Sequence, residues 1–132
     1  MPISIAGSGT ITGISAGGLP DGSITTADLD GAVPVAKAWV NFNGTSTVAI
    51  RASYNVSSIT DHGTGDYTVN FTTAMADTNY TTIGSSWYAT VSASLFGIEA
   101  PPSSTTSKRI STTNPSGTSL LDVNHCCVAI FR

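Results

Sequence analysis

The chain has 132 residues, the length of one domain, with 40% hydrophobic and only 10% charged residues. Roughly three residues in ten are Ser or Thr, so hydroxyls and amides must solvate most of the surface. The formal charge of -3 leaves five cations, Lys37, Arg51, Lys108, Arg109 and Arg132, too sparse to neutralise a phosphate backbone, which excludes nucleic acid as a partner.

No stretch approaches the length of a membrane span, and the start, "MPISIAGSGT", has neither the basic residues nor the apolar run of a signal peptide. The chain is therefore expected to be made in a cytoplasm and not to insert into a membrane.

Residues 1–36 hold one candidate strand, "GTITGI", several glycines and no aromatic residue, so they cannot build a core alone. Within them "TTADLDGA" has the pattern of one helical turn, with Thr25 or Thr26 as N-cap and Asp28 in the first turn. From Lys37 alternation takes over. In "KAWVNFNG" Ala38, Val40 and Phe42 share one side. In "STVAIRASYNVSSI" Val48, Ile50, Ala52, Tyr54 and Val56 oppose Ala49, Arg51, Ser53 and Asn55, which predicts one unbroken strand. "GDYTVNFTT" sends Tyr67, Val69 and Phe71 inward, and "TDHGTGD" reads as a hairpin loop of about five residues, giving a hairpin over residues 48–72.

Further on, "YTTIGSSWYATVSASLFGI" is one interrupted strand or two, "PPSSTTSK" a surface loop and "KRISTTN" a short weak strand. In "LLDVNHCCVAIFR", Val123, His125, Cys127, Ala129 and Phe131 oppose Asn124, Cys126, Val128 and Ile130. The expected fold is all-β: a meander-like, antiparallel β-sandwich-like domain of about six to eight strands over residues 37–132, behind an extended N-terminal arm over residues 1–36.

Chemistry-bearing patterns are thin. The glycine-rich "GSGTITGISAGG" lacks the Lys-Ser/Thr ending and the strand-helix context of a nucleotide loop. The acids lie nearly all in turns, where Asp caps the local backbone; Asp61 and Asp66 flank one loop and are the nearest approach to a hydrolytic pair. His62, at the loop tip, reads as exposed or as a contact residue. His125 reads as a core or interface histidine, with a metal ring of three copies, or a site shared with Cys127, as the rival. Cys126 and Cys127 are adjacent and expected to be free thiols, because a vicinal disulfide is strained. Four Asn-X-Ser/Thr sequons, at Asn43, Asn55, Asn70 and Asn79, read as chance in so hydroxyl-rich a chain. No cofactor, no metal and no catalytic residue is expected. Of Trp87 and Tyr88, one must face inward and the other outward, where its ring can stack on a sugar.

Residues 34–80, "PVAKAWVNFNGTSTVAIRASYNVSSITDHGTGDYTVNFTTAMADTNY", closely resemble a module that recurs near the C-termini of tail fibre and related receptor-binding proteins of tailed bacteriophages, often those of aquatic bacteria. The ending "CVAIFR" is similar to the way many of those chains stop, and the "GSGTITGISAGGLPDGSITTADL" arm looks like the segment that often precedes the module. The resemblance covers about two thirds of the chain.

It implies an intertwined homotrimer in the virion, without catalytic residues, whose exposed domain contacts a host surface glycan or protein and whose arm contacts other phage tail or virion proteins. In such a trimer Ile11, Ile14, Leu19, Ile24 and Leu29, with Ile3 and Ile5, would form apolar layers in the arm. Candidate receptor contacts are His62, Trp87, Tyr88, Lys108 and Arg109, and receptor choice is expected within residues 84–121, where the chain departs from the module. A structural connector or head-decorating fibre without host contact is the main alternative; a virion polysaccharide-degrading enzyme is the other.

Overall fold

The computed structural model describes residues 35–88, 91–97 and 104–132. Contacts divide the chain between Val33 and Pro34, and the fold described belongs to the second part. The arm residues Ile11, Ile14, Leu19, Ile24 and Leu29, and the helical turn expected near Thr25, lie outside the described residues.

Eight strands are described: β1 (Ala36–Asn43), β2 (Ala49–Tyr54), β3 (Val56–Gly63), β4 (Asp66–Phe71), β5 (Thr81–Tyr88), β6 (Val91–Gly97), β7 (Ser107–Thr113) and β8 (His125–Phe131). All pairings are antiparallel, in the order β2-β1-β8-β5-β6-β7-β4-β3. The order is no meander. β8 enters between β1 and β5, and β7 between β6 and β4, so three of the seven pairings join strands that are not consecutive in sequence.

The all-β expectation is met, and the hydrogen-bonded surface doubles over one core. Ala38, Val40 and Phe42 of β1 and Cys126, Val128 and Ile130 of β8 pack with Tyr67, Val69 and Phe71 of β4 and Ile110 of β7. Phe42 and Tyr67 meet edge to face, ring centres 5.2 Å apart, and Phe71 and Tyr80 do the same at 6.1 Å. Burial alternates strictly along β1, β4 and β8, as strands with one face in a core require.

The expected single strand over residues 48–56 is two. Asn55 has a left-handed φ of 54° and breaks the run. β2 therefore joins β1 while β3 joins β4. Asn can take this conformation because its short amide bonds locally. Here Nδ2 donates to Lys37 O at 3.0 Å and Thr73 O at 3.1 Å, while Oδ1 accepts from Thr73 N at 2.7 Å. One side chain thus pins the start of β1 to the segment after β4. Asn55→Ala is expected to cost about 2 kcal/mol, from three lost hydrogen bonds and the strained φ, while Asn55→Gly keeps the φ and costs less; urea unfolding midpoints measure both.

The hairpin between β3 and β4 is also tighter than expected. β3 runs through His62, leaving Thr64 and Gly65 as the turn, with Gly63 at φ 122° and Gly65 at φ 66°. Two of the other sequon side chains serve the backbone or neighbouring strands: Asn43 bonds Thr45 and Asn70 bridges to Ser58 and Thr60.

Candidate functional site

The core takes one face of β1, β8 and β5, and the other face is left open. Between buried Ala38, Val40 and Phe42, Trp39 and Asn41 must point outward. Between buried Cys126, Val128 and Ile130, Cys127 and Ala129 do the same. Register then aligns these side chains in rows across the strands. Tyr54, Trp39, Ala129 and Ile83 form one row; Ala52, Asn41, Cys127 and Ser85 form the next; His125 and Trp87 begin a third.

In the first row the middle strand supplies the small Ala129 between the larger Trp39 and Ile83. The result is an open groove of about 480 Å³ whose floor is Cys127, Val128 and Ala129 of β8. Trp39, Val40 and Asn41 of β1 form one wall and Ile83, Gly84 and Ser85 of β5 the other. Trp39 is 39% exposed, Tyr54 52%, Ile83 54% and Trp87 49%. Both tryptophans of the chain therefore stand half in solvent on one sheet face.

No lining residue of the groove carries a charge. The nearest cation, Arg51, donates from Nη1 to Asn41 Oδ1 at 3.2 Å, which orients the amide. Beyond the lining, on the same sheet face, the rings of Trp87 and His125 lie 5.5 Å apart at 40°. Cys126 and Cys127 are both free thiols; burial, and then the neighbouring Cys127, pushes the Cys126 thiol far up, so it is inert, while Cys127 lies on the groove floor. Among the described residues no group of three His, Cys, Asp or Glu side chains could hold a metal ion.

The predicted contact residues do not gather at one place. Trp87 faces out, as one of the adjacent pair had to, and Tyr88 packs partly buried against the core. His62 is exposed on β3, with Nε2 2.9 Å from Thr68 Oγ1. Lys108 is not a loop residue: it lies in β7, 8% exposed, on the buried side with Ile110 and Thr112. Arg109 faces out but is held by Asp66, at 2.8 Å and 2.5 Å to the two carboxylate oxygens. Of the core-or-interface reading of His125 the core half does not hold, since the inward set of β8 is Cys126, Val128 and Ile130 and the imidazole sits on the outer face. Both sides of that strand are apolar in sequence, so alternation alone could not choose the side.

Trp39 was the missed residue. Its signal was present, an indole placed opposite the Ala38, Val40 and Phe42 stripe. Arg51 and Asn41 were likewise legible only once the β1-β2 pairing placed them side by side.

The acids flanking the β3-β4 loop are each occupied. Asp61 Oδ1 accepts from Gly63 N at 2.8 Å, a turn role, and the Arg109 hydrogen bonds hold the Asp66 carboxyl below its usual range. A lowered carboxyl adds stability above its ordinary value of 3.8 that is lost as pH falls through the folded value. Because the pair is solvent-exposed, Arg109→Ala is expected to cost less than about 1 kcal/mol near pH 7 and to leave the alkaline limb unchanged, as thermal melts across pH would show.

No family model, no curated protein and no solved structure matches this chain.

Proposed function

We propose that the chain is a structural virion protein of a tailed phage, a trimeric tail fibre or fibre-tip protein that attaches non-covalently to the host cell surface. It is read as a binding protein and not as an enzyme, made in the host cytoplasm and carried on an external appendage of the virion. The resemblance of residues 34–80 and of the "CVAIFR" ending supports the family. The antiparallel fold agrees with the β-rich domain that resemblance implies.

The observation that carries the attachment reading is the open face bearing Trp39, Tyr54, Ile83 and Trp87. Large aromatic side chains half exposed together on one face mark a contact surface. The arm, residues 1–36, is read as the trimerising and particle-binding part.

Two measurements test this reading. The purified protein should bind host cells and block phage adsorption; a protein that does neither while residing deep in the particle is a connector or a head-decorating fibre. Its mass in solution should be that of three 13.4 kDa chains, and a single-chain mass would overturn the trimer. Removing residues 1–36 should weaken assembly.

A further inference from the structure

We propose that the groove along β8, between Trp39 of β1 and Ile83 of β5, with Trp87 standing two rows beyond Ile83 on the same face, is a binding site for a short stretch of neutral saccharide. This rests on the reading of the chain as an attachment protein and names what is attached to.

The dimensions come from the sheet itself. β1 and β5 flank β8, so the walls stand about 10 Å apart at the backbone; the lined rows run from Ala129 to Cys127, and the row of Trp87 lies about 13 Å from that of Trp39, so a chain of about two or three pyranose rings seated in the groove would extend to Trp87. The volume, about 480 Å³, is that of a small-ligand site.

The chemistry of the lining selects the ligand class. The negative face of an indole attracts the polarised C–H groups on the flat side of a pyranose; Trp39 forms part of one wall, and Trp87 stands further along the same sheet face on β5. The polar groups between them are neutral and directional. The Asn41 amide is held by Arg51 through Oδ1, which leaves its Nδ2 to donate, and the Ser85 hydroxyl both donates and accepts. Sugar hydroxyls need such partners. No carboxylate lines the groove to hold a cationic ligand, and the guanidinium beside it, that of Arg51, is bonded to Asn41 Oδ1, so no lining residue itself offers a charge to an anion.

A second copy of the chain fits the face less well. Four strands across and about six residues along enclose on the order of 300–400 Å², about half of the ~800 Å² per partner that a stable interface buries. The groove is also concave where a flat sheet-to-sheet contact would need its middle strand filled. Ala129, between Trp39 and Ile83, leaves a gap that suits a narrow, rod-like occupant.

The test uses the full chain. Because both tryptophans lie on this face, intrinsic fluorescence reports on it directly. The protein is titrated with cellotriose, maltotriose and chitotriose and applied to an array of bacterial surface polysaccharides. Saturable quenching by at least one neutral glycan is expected, weakened tenfold or more in Trp39→Ala and restored in part by Trp39→Tyr, with melting temperatures close to that of the parent. Trp87→Ala serves as the second variant should Trp39→Ala fold poorly.

No response to any neutral glycan overturns the proposal, as does undiminished binding in both alanine variants. A mass that rises with concentration and falls back in Trp39→Ala, without a glycan response, assigns the face to a second copy instead. Adsorption is measured in parallel to separate the two readings. Blocking that persists in Trp39→Ala overturns the groove and leaves attachment standing; glycan binding without blocking does the reverse.

Discussion

Tyr67→Ala is expected to remove a large part of the domain's stability at 25 °C. Tyr67 is fully buried, lies edge to face on Phe42 and belongs to the only core among the described residues. Deleting such a ring costs about 3–5 kcal/mol, against a total stability of about 5–15 kcal/mol for a domain. The phenol adds to this. Its OH donates to Gly44 O at 2.9 Å or to Asp122 Oδ1 at 2.8 Å, and Asp122 Oδ1 also accepts from Gly65 N at 2.7 Å. Its removal takes one of two donors from the partly buried Asp122 Oδ1 and leaves Gly65 N–H. Tyr67→Phe isolates that polar part, and a loss of about 1–3 kcal/mol in chemical denaturation is expected.

The same side chain sets an alkaline limit. Burial first, then the bond to Asp122, pushes the Tyr67 phenol far above its ordinary 10.0. The unfolded chain releases this proton near pH 10 while the folded chain keeps it, so the folded chain binds more protons and stability falls as pH rises past 10. Cys126, ordinarily 9.0 and also pushed up by burial, adds in the same direction from lower pH. Tyr67→Phe should flatten the part of the decline above pH 10, and a decline unchanged in that variant would show that the phenol does not drive it.

What could be read from the sequence follows from which strands have one wet face. β1 and β4 alternate large apolar residues with polar ones, so Ala38, Val40, Phe42, Tyr67, Val69 and Phe71 were legible as core and Trp39 as its opposite. β8 carries apolar residues on both sides, because its outer side chains floor the groove, and its inward set was decided by pairing with β1 and β5. β7 looked weak because Ser111 and Thr112 are polar. Both are buried, and Thr112 Oγ1 donates to Leu121 O at 2.6 Å, so hydroxyls satisfied by backbone stand in for apolar residues.

The break at Asn55 hid within unbroken alternation, since a single left-handed residue changes direction without changing period. The groove was hidden for a different reason. Its walls are far apart in sequence, and no local pattern says that residues 39, 83 and 129 share a row.

Gly65→Ala should cost about 3 kcal/mol and should loosen the approach to β8. Gly65 sits at φ 66°, where a side chain costs about 1 kcal/mol or more. Space is shorter still: a Cβ there would lie 2.5 Å from Thr112 O and 2.7 Å from Leu121 N. Those two atoms bond each other at 2.9 Å, so the methyl would pry apart the contact that holds residues 119–123 against β7. It would also strain Thr112 N to Gly65 O, 2.8 Å, and Gly65 N to Asp122. Gly63→Ala separates the causes. Its φ of 122° carries a backbone cost, but its Cβ would meet nothing within 4 Å. Amide hydrogen exchange should therefore accelerate at Leu121 and Thr112 in Gly65→Ala and stay as in the parent in Gly63→Ala, whatever the two melting temperatures. Because Val123 leads from this contact into β8, whose Cys127 and Ala129 floor the groove, the same variant should blunt ligand-dependent tryptophan quenching before the domain unfolds. Equal exchange in the two variants would show that the fold tolerates the methyl, and that the 112–121 contact is not what positions the strand under the groove.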